Sequence, residues 1–160
     1  MIDWLDIVVK VRHTPIQAGH MISVLPNGEI EWDSAKAKSV SGSFDTNIRV
    51  RSQGSASDSL ASEMYISGNP SKYLQGHNVF GSNDLGALAH AMVSKIFGVL
   101  EINDSLTLLR IKKGDFSVKR IDITESWAFP SRSQVKGVLA AMSIKSRSRM
   151  GRPQTRGGTV

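Results

Sequence analysis

The chain has 160 residues, about one domain's worth, and with 40% apolar residues it can bury a core. It has no cysteine, which excludes a disulfide scaffold, a thiolate nucleophile and a thiolate metal site and leaves His, Asp and Glu as ligands for any metal. Residues 1–130 carry 13 Lys/Arg against 14 Asp/Glu, whereas residues 131–160 carry seven basic residues and no acid, so the basic end suits a polyanionic partner or forms a solvated tail.

Residues 2–11 are rich in β-branched and aromatic side chains and predict a first strand. Met21 to Leu25 and Ile30 to Trp32, joined through Pro26-Asn27-Gly28-Glu29, predict a hairpin, because Asn-Gly tolerates the positive φ such turns need. Phe44 to Arg51 alternates, with Phe44, Thr46, Ile48 and Val50 on one face; Ser52 to Ser59 is expected to be a loop and Leu60 to Ser67 a strand. Asn83-Asp84 offers a cap to an amphipathic helix carrying Leu85, Leu88, Ala89, Met92, Val93, Ile96 and Phe97 and ending near Gly98. Leu106 to Ile111 and Phe116 to Thr124 are expected as two strands, and Ser131 opens a last helix after Pro130. Strands first, then helix–strand–strand–helix, predict an α+β domain: an antiparallel sheet of about five to seven strands with two main helices packed on it. The domain is expected to span residues 1–144, followed by a basic flexible segment, 145–160, too poor in apolar residues to fold alone. Thr159-Val160 read as the start of another strand. No apolar run nears the ~18 residues of a membrane span, and acids at Asp3 and Asp6 stand where a secretory leader needs basic residues.

Two segments could carry chemistry. Residues 69–81 are punctuated by Pro70, Gly76 and Gly81, so they read as neither strand nor good helix, yet they hold Lys72, Gln75, His77 and Asn78. His77 is either a ligand or a histidine satisfying backbone groups in an ordered connection. In Lys119 to Glu125, strand periodicity puts Arg120, Asp122 and Thr124 on one face, with Ile121 and Ile123 expected buried on the other. Asp122 is then a divalent-metal ligand or half of an Arg–Asp pair. There is no His-x-His pair, and Gly81 to Gly86 lacks the Lys-Ser/Thr of a phosphate-binding loop. The two tyrosines, Tyr65 in a strand and Tyr73 in the polar segment, are not taken as nucleophiles.

Residues 69–85, Asn-Pro-Ser-Lys-Tyr-Leu-Gln-Gly-His-Asn-Val-Phe-Gly-Ser-Asn-Asp-Leu, closely resemble a signature of the filamentous-phage gene II replication initiators, a family of phage and plasmid replication proteins of gene II/X type. Val118-Lys119-Arg120-Ile121-Asp122 resembles its second signature, and the opening Met-Ile-Asp-Trp-Leu resembles family starts. The resemblance implies the N-terminal part of a strand-specific endonuclease that nicks an origin for rolling-circle replication and later rejoins the displaced strand. It implies a divalent metal, Mg2+ or Mn2+, and origin DNA as partner, both duplex and displaced single strand, with host replication proteins as further partners in the bacterial cytoplasm. By carry-over, His77 and Asp122 are the expected catalytic and metal-binding residues. Lys72, Gln75, Asn78 and Arg120 are expected to contact DNA, as are Lys145, Arg147, Arg149, Arg152 and Arg156 of the basic end. The family's Tyr-x-Lys-x-x-Glu segment, the expected region of its nucleophile, follows the strand that Gly157 to Val160 resembles. The chain is therefore expected to be an N-terminal fragment, a natural truncation or one chain of a split protein. The alternative expectation is a non-catalytic, truncated origin-binding module that regulates replication.

Overall fold

Strand β1, Ile2–His13, buries Leu5, Ile7, Val9 and Val11 on one face, the period-two spacing of a half-covered strand. The computed structural model describes residues 1–54, 59–125 and 127–145. By internal contacts the chain divides into two units, Met1–Thr124 and Glu125–Val160. In the first, β2 (His20–Val24) and β3 (Ile30–Ala35) form the expected hairpin as a separate two-stranded sheet, with Gly28 at φ +86° in its turn. Then follow β4 (Lys38–Ser41), β5 (Asn47–Gln53), β6 (Ala61–Gly68), helix α1 (Pro70–Gln75), α2 (Leu85–Val99), α3 (Ser105–Lys112) and β7 (Ser117–Ile123).

Five strands make an antiparallel sheet in the order β4-β5-β6-β1-β7, so the first strand of the chain lies between the sixth and the seventh. Met1 closes that arrangement: its ammonium donates to the carbonyl of Thr124 at 2.6 Å, and the Thr124 amide donates back to the Met1 carbonyl at 2.9 Å. On one face, Leu5, Ile7, Val9, Ile48, Val50, Met64 and Ile66 meet Leu88, Met92, Val93, Ile96 and Phe97 of α2, Ile111 of α3 and Tyr73 of α1 in one core cluster. The architecture is α+β, as expected. In the second unit, α4 (Arg132–Lys145) is the helix expected after Ser131, whose Oγ accepts the amide of Gln134. Glu125, Trp127, Phe129, Val135, Val138 and Leu139 contribute to a cavity of about 470 Å3 in that unit.

Four local expectations are corrected. Leu106 to Ile111 is helix, not strand: Asp104 caps it by accepting the Thr107 amide at 2.9 Å and hydroxyl at 2.6 Å, and Thr107 and Ile111, one turn apart, are its buried residues. Residues 70–75 also form a helix, capped by Asn69, begun by Pro70 and closed by Gly76 at φ +86°. Strand β5 starts at Asn47 instead of Phe44, because Phe44 and Asp45 turn the chain at φ +49° and +57°. Ile121 and Ile123 are exposed, at 39% and 68%, since β7 is an edge strand. Of the expected loop at 52–59, Ser52 and Gln53 belong to β5 and residues 55–58 lie outside the described residues. The strand start at Thr159 lies outside them too, as do the side chains of Lys145, Arg147, Arg149, Arg152 and Arg156.

Candidate nucleic-acid interface

The segment 69–81 is built around the carboxylate of Asp3. Asn69 uses both ends of its amide: Oδ1 accepts the Lys72 amide at 2.8 Å and caps α1, while Nδ2 donates to Asp3 Oδ1 at 2.8 Å. Asn78 donates to the same Asp3 oxygen at 2.9 Å. Gln75 donates to the carbonyls of His77 and Phe80, and so ties the loop that follows α1. Asn78 and Gln75 thus have structural work in this state. Lys72 and His77 are exposed, His77 meeting Phe80 edge-on with centroids 6.4 Å apart.

Opposite the helices, the sheet presents a polar face. Paired residues in neighbouring strands project to the same side, and one row runs Ser39, Arg49, Ser67, Asp6, Arg120 across all five strands. Arg120 grips Asp122 with two hydrogen bonds, as period-two spacing predicted for that face. These bonds hold the Asp122 carboxyl below its ordinary range. The guanidinium carbon of Arg120 lies 5.9 Å from the Trp4 ring centroid, and Trp4 Nε1 donates to Asp6 Oδ1 at 2.8 Å. In the next row the Arg51 guanidinium carbon stands 4.8 Å from the Tyr65 ring centroid.

Burial, followed by hydrogen bonding to the negative Asp6, raises the Tyr65 phenol. Burial alone pushes Tyr73 up to about 12. A raised phenol is harder to deprotonate than an ordinary one, which favours neither as a nucleophile.

Trp4 links the two predicted segments. Besides facing Arg120, it lines a cavity of about 530 Å3 with Arg49, Ser67, Asn69, Lys72 and Phe44. Trp4 thus faces Arg120 and shares a cavity with Lys72. Among the described residues, no three His, Asp or Glu side chains converge to hold a metal, so His77 and Asp122 do not belong to a complete ligand set here. Sequence reasoning missed Trp4, Arg49, Phe44 and Asp3. Alternation along Ile2 to Lys10 already put Trp4 and Asp6 on one face, but the cavity needs β5 and α1 brought beside it.

The N-terminal family of the phage gene II replication-associated protein matches residues 1–160. The chain is 42% identical over 161 residues to the gene II replication-associated protein of Enterobacteria phage I2-2, covering 100% of the chain and 47% of that relative. It thus spans about half the length of the curated relative it matches. No solved structure matches it significantly. Among the described residues, no helix is long and apolar enough to cross a membrane. With the match running from the first residue to the last, the chain belongs to the N-terminal family of gene II phage replication-associated proteins.

Proposed function

We propose that this chain is the DNA-engaging N-terminal half of an initiator of rolling-circle replication, which acts on origin DNA in the host bacterial cytoplasm. In the whole protein a nucleophile attacks one phosphodiester of the plus strand; the bond from phosphorus to the 3′ oxygen breaks, and the freed 3′ end primes synthesis. The observation that carries this reading is Trp4, which joins the motif segment, through Asn69 and Lys72, to the row bearing Arg49 and Arg120. Cations interleaved with aromatic rings on a polar sheet face suit a phosphate backbone and exposed bases.

Asp122 and His77 are the proposed reaction-centre residues; Lys72, Arg120 and the basic end are the proposed DNA contacts, with Gln75 and Asn78 shaping the loop between them. The Mg2+ or Mn2+ of the resemblance does not fit a site made by the described residues alone: the guanidinium of Arg120 already occupies both oxygens of Asp122, and no three-ligand group accompanies them. No step is therefore assigned to a metal here.

The test pairs binding with cleavage. The 160-residue chain is expected to shift origin DNA in a gel, and the full-length protein to relax supercoiled origin plasmid in the presence of magnesium. With Arg120→Ala, relaxation should fall at least about tenfold while the fold, read by circular dichroism, is kept. Binding to the origin with no relaxation by the full-length protein would support the regulatory module instead. No binding to DNA of any kind would overturn both readings.

A further inference from the structure

Arg49 has a serine on each side of it: Ser39 opposite on β4 and Ser67 opposite on β6. Two small side chains beside a long cation leave a hollow instead of a packed patch. Asn69 and Lys72 bound the hollow at one end, Phe44 to Asn47 at another, and Trp4 contributes to its wall. Its volume, about 530 Å3, falls within the range of small-molecule sites. Among its described lining residues the charges are Arg49 and Lys72 against a single acid, Asp45.

Phe44 has no role in the core: it is 84% exposed. Yet its position is closely fixed. Phe44 and Asp45 both have left-handed backbones, which non-glycine residues adopt only when their surroundings enforce it. Here the enforcement is visible. The Gly42 amide donates to the Thr46 carbonyl at 2.6 Å, the Thr46 hydroxyl to the Ser43 carbonyl at 2.7 Å, and Ser43 bonds to the carbonyls of Tyr73 and Leu74 in α1. The Phe44 side chain lies against Gly76, where an added Cβ would come within 3.0 Å of the Phe44 Cβ. A strained turn thus holds a bare aromatic ring at a cationic cavity that already has Trp4 in its wall.

We infer that this cavity takes one unstacked nucleotide of single-stranded DNA, its base against Phe44 and Trp4 and its phosphate at Arg49 and Lys72. The inference rests on the DNA-binding reading above and narrows it. Bases inside a duplex have both faces stacked, so only a splayed nucleotide offers a ring face to an aromatic side chain. The exposed amide of Asn47, in the same lining, is suited to a base edge.

Fluorescence anisotropy of the 160-residue chain with labelled oligothymidine, and with a blunt duplex of equal length, tests it. Tighter binding to the single strand is expected. Loss of one base stack is worth about 5- to 150-fold in affinity, so Phe44→Ala should weaken single-strand binding by that factor and Phe44→Trp should restore it. Arg49→Ala should lower the salt dependence by ~0.7 in log–log slope, one phosphate's worth on a single strand. Both side chains are exposed, so neither change threatens the fold. If Phe44→Ala and Arg49→Ala bind oligothymidine as the parent does while origin duplex is still bound, the pocket is overturned and the DNA-binding function stands. A parent chain that binds no DNA would overturn both.

Discussion

Arg120 closes a two-pronged ion pair on Asp122, Nε to Oδ1 at 2.9 Å and Nη2 to Oδ2 at 2.6 Å. Hydrogen bonding to Arg120 holds the Asp122 carboxyl below its ordinary value of 3.8. A depressed folded value means that the ionised pair is intact above pH 3.8 and opens as the pH falls through the lower folded value. Carboxyl-carbon NMR should therefore find the Asp122 midpoint below 3.8, and Arg120→Ala should move it back up. An unmoved midpoint would show that the pair does not persist in solution. The pair is exposed, so breaking it should leave the thermal midpoint nearly unchanged.

At Tyr73 it is burial that sets the chemistry. Its ring is fully buried, and its hydroxyl has no hydrogen-bond partner among the described residues. Removing an unsatisfied buried hydroxyl costs little, so Tyr73→Phe is expected to hold stability within ~1 kcal/mol or to raise it. The same variant in the full-length protein should nick origin DNA at the parental rate. Loss of nicking with unchanged stability would mean that the phenol takes part in the reaction.

Asp104 caps α3, and the hydrogen bond from Thr107 lowers its carboxyl from the ordinary value of 3.8. Asp104→Ala should cost about 1 kcal/mol at neutral pH. Because the folded value is depressed, the cap's ionised advantage is present above 3.8 and lost as the pH drops through the folded value. Urea melts of parent and variant should converge as the pH falls below 3.8; a constant gap would mean that the cap works without its charge.

Asp3 accepts hydrogen bonds from Asn69 and Asn78 at one oxygen, and so secures α1 and the loop after it to β1. Bonds to a charged acceptor are the stronger class, and Asp3→Ala should cost about 1–2 kcal/mol. The local sign should be sharper than the global one: amide exchange in residues 76–81 should quicken far more than in α2. Uniform quickening would assign Asp3 a role in the sheet alone.

The elements legible in the sequence were those whose periodicity is settled by their own residues. Alternation in Ile2 to Val11 and the three-and-four spacing from Leu85 to Phe97 needed no partner to be read. Leu106 to Ile111 misled because Leu, Thr and Ile suit a strand as readily as a surface helix, and what decides is the Asp104 cap at Thr107. Strand β4 has a single buried residue, Val40, in Lys38–Ser41, too little pattern to read at all. At the site, the shared face of Arg120 and Asp122 followed from period two alone. The role of Trp4 did not, because it shares a cavity with Lys72 and Arg49 only once β1 lies beside β6 in the folded sheet.

That placement has a cost in time. A chain made at about 5–20 residues per second takes on the order of ten seconds to pass from β1 to β7. Until β6 and α2 have emerged, Leu5, Ile7, Val9 and Val11, buried in the finished protein, keep their water and their freedom to pair wrongly, and one edge of β1 stays open until β7 is made. The first strand emerges from the ribosome as an unclaimed template, of the kind that recruits chaperones or other chains. Folding of this unit therefore waits on later-made elements, β6 and β7 for the two edges of β1 and α2 for its buried face, and the yield of native protein should depend on how well β1 is shielded until they emerge.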